Sequence, residues 1–216
     1  MAVEKIFWHD PYRTELPARV TGVNQAVITI DRTIAFAFSG GQESDRGTIG
    51  GHEILRAEKD GKEIYYTLTA EHGLKPGDDV LITIDWERRY KLMRLHFAAE
   101  IILELVTRHF AGPEKIGAHI AADKARVDFA WQGNIAESFD FLRQEAGRII
   151  AADLPVTSEY SDKENEIRYW EIADFAKVFC GGTHIRKTGE IGAVALKRNN
   201  IGKGKERIEI TLPELV

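Results

Sequence analysis

The sequence predicts an α+β protein in two parts: a small β-barrel over residues 1–86, then an α+β domain over residues 87–216 with an antiparallel sheet and two long helices. Two observations predict it. Up to about residue 85, short runs rich in β-branched and aromatic residues are separated by turn signals, the pattern of a small barrel. From Glu87 the pattern changes to a long stretch without Gly or Pro, in which apolar residues recur every three or four positions.

In the first part, residues 25–30 (QAVITI) read as a strand, and residues 32–38 continue in an alternating apolar style. Residues 63–69 (EIYYTLT) form another strand. Pro76-Gly77-Asp78-Asp79 marks a turn ahead of alternating Val80, Ile82 and Ile84. In the second part, Leu92, His96, Ala99, Leu103, Val106 and Phe110 lie on one stripe of an amphipathic helix over residues 87–110, closed by Gly112-Pro113. Strands are expected over residues 115–120 and 124–131. A second helix is expected over residues 135–152, capped by Asn134, with Phe139, Leu142, Ala146 and Ile149 facing inward and Pro155 beyond its end. Strands at 169–172, 193–197 and 207–212 complete the reading.

The composition, 44% hydrophobic and 29% charged over 216 residues, is that of an ordinary globular protein. No apolar run approaches the roughly 20 residues needed to span a bilayer, so no membrane partner is expected. The N-terminal residues carry no export pattern, and a single cysteine excludes an intramolecular disulfide; together they predict a cytoplasmic protein. Cys180 is then a small buried hydrophobe, a nucleophile or a metal ligand. The net charge of −5 does not announce a nucleic-acid binder. Yet Arg88, Arg89, Lys91 and Arg94 cluster, as do Lys197, Arg198, Lys203, Lys205 and Arg207. Such clusters are either solvated faces or local patches able to hold a phosphate backbone.

His96 and Glu100 stand four apart on the long helix, so both side chains can reach one ion. Far downstream, Cys180-Gly-Gly-Thr-His184 offers a thiolate and an imidazole separated by glycines that permit a tight bend. Sulfur, imidazole nitrogen and carboxylate oxygen together form a donor set suited to zinc.

Residues 84–96 (IDWERRYKLMRLH) and the CGGTH segment resemble the editing domain of alanyl-tRNA synthetase and its free-standing AlaX relatives. The segments 115–120, 123–129 and 200–207 resemble the same family, as does the glycine-rich stretch Ser39-Gly40-Gly41-Gln42 followed by Asp45-Arg46-Gly47. The likeness covers nearly the whole chain and suggests the medium-length type, with a barrel ahead of a fold shared by alanyl- and threonyl-tRNA synthetase editing domains. It implies one zinc ion per chain, bound by His96, Cys180 and His184, and a hydrolase that removes serine, with glycine as a second candidate, from mischarged tRNA for alanine. One departure stands out. The family places histidine where this chain has Glu100, which is then a fourth ligand or a general base, and a zinc held weakly or not at all stays open as well.

Discriminating serine from alanine requires a site that hydrogen-bonds the extra hydroxyl. Thr183 and His119 are candidates, each with a structural alternative as a turn residue or an exposed strand histidine. Gly40, Gly41 and Gln42 are candidates for contact with RNA or the catalytic helix. Arg88, Arg89, Arg94, Lys197, Arg198, Lys203 and Lys205 are candidates for binding tRNA. Three other readings remain at this stage: a hydrolase using Cys180 as nucleophile, a tRNA-binding protein with a structural or degenerate zinc site, and editing of another mischarged tRNA. Oligomeric state is not legible in the sequence.

Overall fold

The computed structural model describes residues 2–213. The chain divides into two compact units. The first comprises the residues up to Ser39 and those from Glu43 to Tyr90; the second comprises Gly40–Gln42 and the residues from Lys91 onward.

The first unit is built on a seven-stranded antiparallel sheet. After the short β1 (Glu4–Lys5), its strands are β2 (Glu15–Asn24), β3 (Val27–Ile30), β5 (Gly47–Ile49), β6 (His52–Glu53), β7 (Arg56–Asp60), β8 (Glu63–Thr67) and β9 (Asp79–Ile84), while β4 (Arg32–Thr33) pairs with β1. The order is β6-β5-β9-β2-β3-β8-β7. Alternation decides which side chains enter the core: Leu16, Ala18 and Val20 of β2 are buried, with Leu16 opposite Ile82 and Ala18 opposite Val80 on β9. Burying each large aliphatic of this kind contributes about 1.5–3 kcal/mol.

The barrel expected from the sequence is not closed. Residues 15–19 of β2 pair with β9, and from Val20 onward β2 pairs with β3, with an irregularity between Val20 and Gly22. One long strand therefore serves two sheet portions and bends between them. The sheet keeps two ends, β6 and β7, with no pairing between them among the described residues. Residues 32–38 also differ from expectation. Only Arg32–Thr33 is strand, and Ile34, Ala35, Phe36 and Ala37 are all buried rather than alternating.

The second unit holds two sheets. One has the order β10-β11-β16-β15, formed by Lys115–Ile120, Ala125–Ala130, Lys205–Thr211 and Ala195–Gly202. The other is β12-β13-β14, formed by Thr157–Asp162, Ile167–Ile172 and Ala176–Phe179. Helix α1 runs Trp86–His109 and α2 runs Phe139–Ala151. A single turn of 3-10 helix, Ile135–Ser138, precedes α2, and the Asn134 side chain accepts a hydrogen bond from the Ala136 N–H at 3.1 Å as a cap.

The long helix is not an amphipathic stripe. Leu92, Met93, Leu95, Phe97, Ala98, Ala99, Ile101, Ile102, Leu105 and Val106 are all buried, so its middle is covered on every side, as in the interior helix of a larger core. Polar groups on such a helix need partners, which makes His96 and Glu100 conspicuous. No helix among the described residues is long and apolar enough to cross a membrane.

Candidate metal centre

His96 and Glu100 lie one turn apart on the same face of α1, with side chains 8% and 13% exposed. Cys180 follows the last residue of β14, where its N–H donates to the Arg168 carbonyl at 3.0 Å. The chain then bends through Gly181-Gly182 and returns His184 to the same place. His184 Nε2 is 3.3 Å from Cys180 Sγ, and His96 Nε2 is 3.5 Å from it. Glu100 Oε1 is 3.2 Å from His96 Nε2 and 3.6 Å from Sγ. Residue 182 must be glycine because a Cβ there would stand 2.1 Å from His96 Cε1 and 2.8 Å from Gln42 Oε1. His96, Cys180 and His184 each offer a ligand atom, all within 4.8 Å of one another.

The outward-facing atoms of this cluster are held by one face of the three-stranded sheet. Ser158 on β12 and Trp170 on β13 are cross-strand partners. The Ser158 hydroxyl meets His184 Nδ1 at 2.9 Å, and the Trp170 indole N–H donates to Glu100 Oε2 at 3.2 Å. His184 is thereby left with Nε2 toward the sulfur, the arrangement by which outer partners aim a ligating imidazole. His96 Nδ1 is buried with no hydrogen-bond partner among the described residues.

Electrostatics fit a cation. Burial opposes charge on His96, but the Cys180 sulfur and the Glu100 carboxylate overcome it and hold the imidazole at about 10. Burial likewise opposes charge on Glu100, and His96 overcomes it, bringing the carboxyl to about 2. His184 goes the other way, to about 3, because burial and the neighbouring His96 charge both disfavour its protonation. A carboxylate, a sulfur and two imidazoles thus face one place, the arrangement of donors that a divalent metal ion takes up. The donor set and the glycine cradle together make this group able to hold a metal.

Other residues singled out in the sequence fall in different places. Thr183 is 1% exposed; its Oγ1 accepts from Gln42 Nε2 at 2.8 Å, and its N–H donates to Gln42 Oε1 at 3.2 Å. The Gly40–Gln42 stretch belongs to the second unit: the Gly41 carbonyl accepts from the Ile120 N–H at 2.8 Å, and Gly41, at φ 88°, lies so close to Ala118 that a Cβ would be 2.7 Å from its carbonyl oxygen. Gly40, Ala118 and Ile120 line a cavity of about 20 Å³ beside His96 and Glu100. His119 alternates with Ala118 and Ile120 and pairs across the strands with Arg126, so its side chain is on the sheet face away from that cavity.

The arginines of the first basic cluster are held by partners within the protein, while Lys91 is exposed. Arg89 is wholly buried, ion-paired with Asp45 and donating to the Pro11 and Ile34 carbonyls at 2.9 and 2.6 Å. Arg88 donates to Glu43 at 2.6 Å, and Arg94 to the Ile191 carbonyl at 2.8 Å. In the second cluster, Arg198 grips buried Glu206 through two bonds of 2.6 and 2.5 Å, while Lys197, Lys203 and Lys205 are exposed. Sequence reasoning missed Ser158 and Trp170, because only strand register brings them to the cluster.

A largely buried group of two histidines, a cysteine and a glutamate in an α+β unit defines a class, and comparison with known proteins gives it a name. The family model for the threonyl and alanyl tRNA synthetase second additional domain matches residues 167–209, the stretch that carries Trp170, Cys180 and His184. The chain is 34% identical over 221 residues to the alanyl-tRNA editing protein AlaX-M of Pyrococcus horikoshii, covering 96% of this chain and 97% of that one. The AlaX-M of Methanosarcina barkeri is 32% identical, with 97% and 98% covered. An alanine–tRNA ligase of Methanococcus maripaludis is 29% identical over 95% of this chain but only 25% of the ligase. The chain belongs to the AlaX-M family of alanyl-tRNA editing proteins.

Proposed function

We propose that the protein is a deacylase that hydrolyses the ester of seryl-tRNA(Ala), with glycyl-tRNA(Ala) as a second substrate. Its centre holds one zinc ion through His96, Cys180, His184 and one oxygen of Glu100. The single observation that carries this reading is the convergence of those four side chains, from chain positions 84 residues apart, on one buried point. Donor atoms placed tetrahedrally at zinc's bond lengths stand about 3.3–3.7 Å from one another. Four of the six separations among these donors, at 3.2, 3.3, 3.5 and 3.6 Å, lie near that spacing.

When bound, zinc supplies a fixed positive charge and Lewis acidity beside the ester. The chain's own residues supply the rest. Glu100 acts as a ligand rather than a base, since one oxygen faces Nε2 and Sγ and the other is taken by Trp170. The Thr183 hydroxyl accepts from Gln42 and so keeps its own proton for donation, which a serine hydroxyl can accept and alanine cannot. The cavity of about 20 Å³ beside His96 and Glu100 has room for one water-sized group.

The chemistry belongs to the second unit, which contains every residue of the centre together with Gln42. For the tRNA, the exposed Lys197, Lys203 and Lys205 on the β15–β16 hairpin are the cations best placed to meet phosphates, and Arg89 is not among them. A protein acting on charged tRNA works in the cytoplasm.

The test compares deacylation of seryl-, glycyl- and alanyl-tRNA(Ala) by untagged protein, alongside its zinc content and that of Cys180→Ala. The reading expects one zinc per chain, none in the variant, and release of serine but not alanine. A wild-type protein without stoichiometric zinc, or without seryl-tRNA hydrolysis, overturns it.

A further inference from the structure

We propose that Trp170 is the positioning residue that keeps Glu100 a one-oxygen ligand, holding the second carboxylate oxygen off the metal so that a further coordination position stays open for substrate. The proposal rests on the metal reading above and concerns how this chain uses a carboxylate at the helix.

A carboxylate has two oxygens, and either one or both can bind an ion. Here they have different partners. Oε1 faces His96 Nε2 at 3.2 Å and Cys180 Sγ at 3.6 Å, whereas Oε2 accepts from the Trp170 indole N–H at 3.2 Å. Trp170 is wholly buried in the central strand of its sheet, with Ser158 opposite on one side and Val178 on the other. The Phe97 ring meets it edge-on at 5.1 Å. Packed on these sides, the indole has little freedom to turn, and a buried N–H left without an acceptor is costly. The donor is therefore rigid, and it fixes the plane of the carboxylate. With His96, Cys180, His184 and one oxygen, zinc has four ligands and can still expand to a fifth during reaction. A carboxylate turned to bind through both oxygens would fill that fifth position.

The test uses the full chain with cobalt(II) in place of zinc, because four-coordinate cobalt absorbs visible light several-fold more strongly than five-coordinate cobalt. Affinity is measured in parallel by competition with a chromogenic chelator. Trp170→Phe is expected to weaken the visible bands several-fold and to change metal affinity by about tenfold or more. In a Glu100→Ala background the same substitution is expected to change neither, because Trp170 acts only through the carboxylate. Replacing Trp170 with β-(3-benzothienyl)alanine removes the N–H at nearly constant shape and gives the same readout should the phenylalanine variant not fold. Cobalt uptake with an unchanged spectrum in both position-170 variants overturns the proposal alone. So does an equal change in the Glu100→Ala background, which would mark a packing role. A wild-type chain that takes up no cobalt overturns the metal reading and this proposal together.

Discussion

Removing the Asp45 carboxylate should unfold the first unit far more readily than any surface substitution. Asp45 and Arg89 are 1% and 0% exposed at the side chain. The carboxylate accepts from Arg89 Nε at 2.8 Å and from the Phe36 N–H at 2.6 Å, and the guanidinium closes the pair through a second bond to it. In Asp45→Ala the guanidinium keeps only the Pro11 and Ile34 carbonyls, and the Phe36 N–H loses its acceptor. Breaking a buried pair on one side costs about 3–5 kcal/mol, because a charge is left without compensation in the interior. For a unit of this size that corresponds to a fall in melting temperature of roughly 20 °C. Replacing both partners, as Asp45→Leu with Arg89→Met, removes the orphaned charge and should recover most of the loss. Urea unfolding of the wild type and the two variants followed by tryptophan fluorescence gives the comparison. A loss below about 1 kcal/mol in Asp45→Ala, or a double variant no better than the single one, would refute the claim that this pair is a buried strut.

Three further outcomes are expected. Gly182→Ala drives a methyl group into His96 and Gln42, so metal affinity should fall by about tenfold or more while far-ultraviolet circular dichroism stays the same; undiminished zinc content contradicts the cradle. Lys203→Ala with Lys205→Ala should lower the slope of log affinity for tRNA against log salt by roughly 1.5–2, measured by filter binding across salt concentrations, and an unchanged slope removes the hairpin from the interface. Burial acts to raise the Asp128 pKa, but Arg207 and Arg126 overcome it and hold the carboxyl below its ordinary value. A depressed folded pKa means that the stabilisation is present above the unfolded value near pH 4 and is lost as pH falls through the folded one. The stability gap between wild type and Asp128→Asn should accordingly be widest at neutral pH and close toward pH 3 in urea titrations; a gap that widens in acid contradicts the sign.

What the sequence made legible follows physical lines. Strands β10 and β11 and helix α2 were readable because their apolar residues keep a clean period, Asn134 caps the 3-10 turn that leads into α2, and Pro155 lies beyond its end. Strands β12 and β14 were not. Thr157–Asp162 is polar along its whole length, and Ala176–Phe179 is too short to show a period. The character of α1 was misread because Phe97, Ile101 and Ile102 lie off the stripe that was followed, and a helix apolar on all sides has no single stripe. At the centre, Cys180 and His184 were legible from local spacing and His96 from resemblance to the AlaX family. Trp170 and Ser158 were invisible, since a hydrogen bond between residues 70 apart depends on the register of β12 and β13. Arg89 was misassigned to RNA because a run of basic residues does not reveal that an acid 44 residues earlier will be buried against one of them.

An open sheet in the first unit has a consequence of its own, since the backbone of a terminal strand is a template onto which a foreign strand could add, and at β7 Phe38 already bridges part of it, at Glu58. The two borders are defended differently. The β6 border is only two residues long, too short a template for another chain to register against. The β7 border reads Arg56, Ala57, Glu58, Lys59 and Asp60, with Arg56 and Glu58 ion-paired at 2.8 Å along the strand. An incoming β-strand would have to strip water from four charges to align there. The molecule therefore discourages self-association at its margins by brevity on one side and by ionic hydration on the other, without needing a closed ring.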